Sequence, residues 1–363
     1  MSAYHTNGFW RAVCRTGTFA LLLAVSLNGC SKPTPTLNLL VWEGYADPSF
    51  VAGFESQCQC KVSASYMGSS DELMAKLRGG SAGNFDVISP SSDVATTIAQ
   101  SGLAEPVDVS KMPAYNELSA ALRDAPLVRA NGKLYGVPFT WGPDPLLYDT
   151  TAFGQPPASW TVLWDPKYRG KVSVWDDLST VYMTAQVLGY DKPDPSHIYN
   201  LSDDELEKVK AKLLELKPNV RKLWTTGGEL TNLFQNHEIV AAMGWPLMTT
   251  QLKKANFPIG ETIPTENTTG WIDHLVVTSA SANKELAMRF LAYMIEAGTQ
   301  RKVADVTGYI PANPKVADTL SPEQRKELHL DEIDTYQKRL NFWQNVPRRA
   351  KYNQIWNEVK AAQ

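Results

Sequence analysis

Phe85-Asp86-Val87-Ile88-Ser89-Pro90-Ser91-Ser92-Asp93-Val94 reads as a short buried strand that turns at once into a helix. The apolar pair Val87-Ile88 sits in a run too short for a helix, and Pro90 stops strand pairing because it has no N–H. Serine and aspartate then supply the polar side chains that favour a helix start, and the predicted helix runs from Val94 to about Gln100. The same alternation appears upstream. Thr36–Val41 is a β-branched and Leu-rich strand, and Pro48 suits the first position of a helix carrying Phe50, Val51 and Phe54. Lys61–Ser65 is the next strand. Ser69 and Glu72 form a capping box opening a helix with Leu73 and Leu77 inward, ended at Gly79-Gly80. Strands and helices joined by such short loops predict an α/β fold with a largely parallel sheet.

At 363 residues the chain exceeds the usual size of one domain, so two lobes are expected. Leu134-Tyr135-Gly136-Val137-Pro138-Phe139-Thr140-Trp141-Gly142 is a strand broken by Pro and Gly, read as a first crossing between lobes. Beyond it lie a strand at Lys171–Trp175, a helix from Thr180 and another strand at Glu238–Met243. Ser202 and Glu205 form a second capping box, followed by the stripe Leu206, Val209, Leu213 and Leu216. Trp271–Val277 is read as the crossing back, and Asn283 as the cap of a helix ending at Gly298. The expected division is 37–142 with 274–309 as one lobe and 143–273 with 310–363 as the other.

Composition excludes several classes. A net charge of −3 gives no electrostatic case for nucleic acid or anionic lipid. Apolar content of 43% argues for real cores and against disorder. Residues 1–30 read as a targeting leader: Arg11 and Arg15 are basic, and Phe19–Val25 is apolar but too short to span a bilayer. Leu27-Asn28-Gly29-Cys30 resembles a bacterial lipobox, which would make Cys30 the lipid-modified first residue, and 31–36 a stiff tether. An ordinary secretory signal cut elsewhere is the alternative. Cys58 and Cys60, two apart, are awkwardly spaced for an unstrained disulfide and lack partners for a metal site, so they read as structural or incidental.

No phosphate-binding loop, zinc-protease motif or nucleophile elbow occurs, so no enzyme, cofactor or metal is expected. His274 beside Asp273 would face the opposite side of a strand and reads as structural. What recurs instead is aromatics and acids at strand ends: Trp42 and Tyr45, Ser91 and Asp93, Asp176-Asp177, and Trp245. Trp alone is usually core and Asp usually a helix cap, but ligands in open α/β sheets bind beyond the carboxyl ends of strands. In Gly270-Trp271-Ile272-Asp273, the indole and the carboxylate two apart share one strand face. A π-face beside an acceptor-only carboxylate suits an ammonium group.

An ordered series of local motifs carries a resemblance over the chain from about Leu37 onward. It comprises Val41-Trp42-Glu43-Gly44-Tyr45, Phe85–Ser91, Gly136–Gly142, and Trp160-x-x-Leu163-Trp164-x-Pro166-x-Tyr168-x-Gly170. Trp175-Asp176-Asp177, Met243-Gly244-Trp245, Trp271-Ile272-Asp273, Thr307-Gly308-Tyr309 and Trp343-Gln344 complete it. The chain resembles the bacterial spermidine/putrescine-binding proteins of ABC importers. That resemblance implies a two-lobed α/β periplasmic-binding-protein fold with β-strand hinges, closing over a small cationic amine. It implies an aromatic box of Trp42, Tyr45, Trp245, Trp271 and Tyr309, with Asp177 and Asp273 receiving ammonium ends. Ser91 and Gln344 would give supporting polar contacts. It also implies delivery to ABC permease subunits, and together with the lipobox at Cys30 the expectation is a lipid-anchored monomer in the periplasm or at the cell surface. The alternatives are a zwitterion such as an ω-amino acid, with Arg348 and Arg349 as the nearby cations, or a sensory amine-binding subunit.

This sequence departs from the family pattern in three places. Gly44 stands where an acid usually precedes the tyrosine, with Glu43 one residue earlier. Thr180 replaces an acid three after Asp177, and Asp93 replaces an aromatic. Glu43 and Asp93 are then the acids that could restore the missing charge.

Overall fold

Thr36–Val41 (β1), Lys61–Tyr66 (β2) and Val87–Ile88 (β3) pair in parallel with β1 between the other two. The computed structural model describes residues 34–362, and Pro35 onward forms one compact unit. Cys30 and residues 31–33 of the expected tether therefore lie outside the described residues. The helices Pro48–Cys58 (α1), Ser70–Arg78 (α2) and Ser92–Gln100 (α3) follow β1, β2 and β3 in turn.

Val137–Pro143 (β4) and Thr268–Val277 (β10) complete this sheet in antiparallel register, with Ile310–Pro311 (β11) beside β4 and Leu340–Phe342 (β12) beside β10. The order is β11-β4-β10-β3-β1-β2. A second sheet contains Leu146–Asp149 (β5), Val172–Trp175 (β6), Val220–Trp224 (β7), Ala241–Met243 (β8) and Ile259–Thr262 (β9), in the order β9-β5-β8-β6-β7. Each sheet is the floor of one lobe, giving a two-lobed α/β architecture. Both sheets are mixed, because the strands that leave and re-enter each lobe run against the parallel βαβ strands.

Asp144-Pro145 links β4 to β5, and residues 263–267 link β9 to β10. The strands 137–143 and 268–277, expected to cross between lobes, are therefore strands of the first sheet, and the connections just beyond them make the passage. Ser179–Val187 (α4), Asp203–Leu216 (α5), Gly227–Gln235 (α6) and Pro246–Lys254 (α7) belong to the second half of the fold. The Ser202–Glu205 capping box is complete, and the four-residue stripe of α5 is buried as expected. Helices Lys284–Met294 (α8) and Ala297–Thr307 (α9) return towards the first sheet, and Arg349–Ala361 (α10) packs on α5.

Three local expectations are corrected. The helix read through to Gly298 stops at Met294, because the chain becomes extended at Glu296 and restarts as α9. Asn283 makes no cap bond there; its amide instead donates to the Thr36 carbonyl and to Asp86. Cys58 and Cys60 form a disulfide. The spacing looked unfavourable for two strand residues, but Cys58 ends α1 and Gln59 takes a left-handed turn with φ 52°. That turn brings the two Cα atoms to 5.2 Å, within ordinary disulfide range.

Candidate functional site: an indole-walled cleft closing on buried carboxylates

The end of β1 decides the site's first wall. Trp42 follows directly, and Gly44 then adopts φ +91°, a conformation that L side chains rarely take. An acid at position 44 would be strained, which accounts for the departure there. The turn sends Trp42 and Tyr45 inward, 4% and 1% exposed. It sends Glu43 elsewhere: its carboxylate accepts from the backbone N–H of Gly227 at 2.8 Å and of Gly228 at 3.3 Å. Glu43 thus caps α6 across the cleft, where unsatisfied N–H groups and the helix dipole favour a negative charge.

The second wall comes from β10. Trp271 pairs in register with Gly142 of β4. A Cβ on residue 142 would stand 2.9 Å from the indole, so glycine there makes room for the ring. Trp271 donates from Nε1 to the Pro143 carbonyl at 3.2 Å and packs edge-on to Tyr309 at 4.6 Å. An irregularity in register between Asp273 and His274 lets Asp273 bridge to Ser91, while His274 donates its backbone N–H to Pro90. His274 is buried, and burial pushes its imidazole down to about 4, in keeping with a structural role.

Asp273 is the centre of the polar floor. Ser91 Oγ donates to its Oδ1, and Tyr45 donates to its Oδ2 at 2.5 Å while its own oxygen lies 2.5 Å from Thr140 Oγ1. Among the described residues no cation touches it. Burial raises its carboxyl to about 7, against the lowering effect of the Ser91 and Tyr45 bonds. Asp177 is also raised to about 7, first by burial and then by the charge of Asp93. One Asp177 oxygen receives the Ser179 N–H at 2.9 Å, so it caps α4, but the other oxygen is buried without a partner. Such a group is costly to leave unpaired and is suited to meet a ligand cation.

Trp42, Ser91, Trp175, Trp245, Trp271, Asp273, Tyr309 and Trp343 line one cavity of about 10 Å³, the space of a single water. Trp175 packs against Trp42 at 5.9 Å and Trp245 at 4.7 Å, and stacks on Trp224 at 5.2 Å with planes 6° apart. The Trp175 Nε1 donates across the cleft to the Gly68 carbonyl. In this arrangement the lobes are shut on each other.

Six of the sequence-picked residues therefore surround one space: Trp42, Ser91, Trp245, Trp271, Asp273 and Tyr309. Tyr45 stands behind Asp273. Asp93 is buried, but its two oxygens are taken by Ser70 and Arg349. Gln344 is exposed, and its neighbour Trp343 supplies the ring that lines the cavity. Trp175, Trp343 and Asp144 were not singled out. Trp175 could have been found by the strand-end rule that picked Asp177, two residues on. Asp144, wholly buried with one oxygen unpartnered, lies in the Pro143-Asp144-Pro145 link, and only the fold turns it inward. Burial holds its carboxyl well above the usual range, and the charges of Asp177 and Asp273 add to that. Among the described residues, no group of His, Cys, Asp and Glu could hold a metal ion, and no helix is long and apolar enough to cross a membrane.

Comparison with known proteins agrees with this geometry. The spermidine/putrescine-binding periplasmic protein 1 of Haemophilus influenzae is 27% identical over 333 residues, covering 90% of this chain and 89% of its own. The putrescine/cadaverine-binding protein of Pseudomonas aeruginosa is 24% identical, covering 94% of this chain and 98% of its own. Among solved structures, the spermidine/putrescine ABC transporter substrate-binding protein PotD of Streptococcus pneumoniae superposes with a TM-score of 0.70 at 20% identity, over 90% of this chain and 99% of that one. The profile of the bacterial extracellular solute-binding proteins matches residues 49–330. With the two-lobed fold and the cleft between its sheets, that match makes the chain a member of the bacterial extracellular solute-binding protein family.

Proposed function

We propose that the protein captures a small organic cation, a polyamine such as putrescine or spermidine, and delivers it to an ABC permease. The observation that carries this reading is the pairing of an indole-walled cleft with Asp273, a buried carboxylate held by neutral hydroxyl donors and met by no cation among the described residues. An ammonium there would accept the role of counter-ion, and the methylene chain would lie between Trp42, Trp245 and Trp271. Each cation–π contact contributes roughly 0.5–2 kcal/mol, depending on desolvation. No bond in the ligand is made or broken; the ligand bridges the lobes and stabilises the shut population.

A cavity the size of one water cannot admit a diamine, so binding requires the lobes to part and the rings to shift. The expected division, 37–142 with 274–309 against 143–273 with 310–363, shifts for that motion: the first sheet carries Trp42, Tyr45, Ser91, Trp271, Asp273 and Tyr309, and the second carries Asp177 and Trp245 at its strand ends, with residues 144–145 and 263–267 as the links. We further place Cys30 as a lipid anchor on a bacterial membrane, with the protein acting as a monomer. Cys30→Ser should move it from the membrane to the soluble fraction.

Titration calorimetry with putrescine, cadaverine, spermidine and ω-amino acids tests the ligand class. Micromolar or tighter binding of an amine supports the reading, and silence with every amine sinks it. A zwitterion remains the second reading, favoured by the indole N–H group of Trp42, which is buried in the cavity wall without an acceptor. A ligand carboxylate would satisfy that group, and an ω-amino acid outcompeting every diamine would establish it. A sensory subunit of the same fold would bind the same amines but fail to restore uptake to a strain lacking the protein.

A further inference from the structure

The two acids that could restore the missing charge are both engaged within the protein. Glu43 caps α6. Asp93 accepts from Ser70 Oγ at 2.9 Å through one oxygen and from Arg349 Nη1 at 2.7 Å through the other. Arg349, at the start of α10, also grips Asp71 with Nε at 2.9 Å and Nη2 at 3.1 Å. Asn353, one turn on, donates to the same Asp71 carboxylate at 3.2 Å. The Asp93 side chain is 1% exposed and that of Arg349 18%, so this pair is shielded from solvent.

Asp93 stands two residues after Ser91, the residue that bonds Asp273, at the start of the same helix. The Arg349–Asp93 pair lies outside the cavity lining but close enough for its charges to act on the floor, that of Asp93 on Asp273 and that of Arg349 on Asp177. An arginine fork of this kind is always protonated and is fixed here by two carboxylates. A ligand ammonium reaching the same place would meet a cation in a water-poor space, with Asp93 already satisfied.

Resting on the polyamine reading above, we propose that Arg349 is a built-in cation that occupies the position of a further ammonium and makes the cleft select short diamines over triamines. Putrescine keeps Asp273 and the unpartnered Asp177 oxygen as its partners. Spermidine must bring a further positive charge towards the Arg349–Asp93 pair.

Calorimetry with putrescine and spermidine on three forms of the full protein tests this. The wild type should bind putrescine at least about tenfold more tightly than spermidine. Arg349→Gln, which frees Asp93, should shift that ratio at least about tenfold towards spermidine. The double variant R349Q/D93N, in which a neutral pair replaces the charged one, should return the ratio to the wild-type value. Equal binding of both amines by the wild type overturns the proposal without any variant. So does an unchanged ratio in R349Q, or a double variant that keeps the R349Q ratio, since either would make Arg349 a clamp between lobes and nothing more. Wild type that binds neither amine fails differently: it removes the polyamine reading itself.

Discussion

Two carboxylates near one cleft are treated in opposite ways. Asp273 is held only by hydroxyls, from Ser91 and Tyr45, and keeps its charge demand unmet. Asp93, two residues on from Ser91, is paired with Arg349 and backed by Ser70. Hydroxyl donors orient a carboxylate without neutralising it, so the ground state waits for a cation. A guanidinium neutralises it outright, so that position has nothing left to offer. The contrast shows that counting acids around a cleft says little about ligand charge until each acid's partner is known.

Asp273→Asn should break the contrast most severely. It keeps the shape but leaves a ligand ammonium without its counter-charge, so amine affinity in calorimetry should fall on the order of a hundredfold. Retained affinity would move the ammonium site away from β10. Next in size, Trp245→Ala or Trp271→Ala should each weaken amine binding by about tenfold, from lost stacking and cation–π attraction. A loss equal for a neutral alcohol of the same length would assign these rings to packing alone.

The pH dependence sharpens the same comparison. Asp273 and Asp177 have carboxyls raised to about 7, whereas the unfolded chain titrates near the ordinary value of 3.8. Each raised acid favours folding while protonated, so the unliganded protein should lose stability as pH rises from about 4 through about 7. A bound ammonium prefers the ionised form, so amine affinity should instead fall as pH drops below 7, by up to about tenfold per unit for each carboxylate. Proton release on binding near pH 6.5, measured in buffers of different ionisation enthalpy, checks the sign. Affinity flat between pH 5.5 and 8 would mean that these carboxylates do not meet the cation.

The smallest effect is expected at Glu43, which joins the lobes without touching the cavity lining. Glu43→Gln weakens the cap on α6 and should cost threefold to tenfold in affinity for every ligand alike, as expected for one charge-assisted bond. Discrimination between amines that changed with this variant would return Glu43 to the ligand.

Most of the architecture was legible residue by residue. The strand at Val87–Ile88 turning into α3, the proline at the start of α1 and the capping box of α5 all form where their chemistry predicts. The misreadings lie where a long-range partner overrides local preference. Asn283 gives up its cap to bond Asp86, and Gln59 turns to join Cys58 with Cys60. At the site, period-two spacing placed Trp271 and Asp273 on one face, and both line the cavity. Gln344 and Trp343 show the limit of that approach, because a one-residue choice on a loop has no periodicity to settle it.

By itself the sequence determined the lobes' βαβ character and the supply of indoles and acids at strand ends, because hydrophobic period and turn chemistry act over a few residues. Only the tertiary structure decided which acids stay free. Glu43 finds the N-terminus of α6, and Asp93 finds Arg349, 256 positions along the chain. Electrostatic pairing depends on distance in space, and nothing local in the sequence encodes that distance.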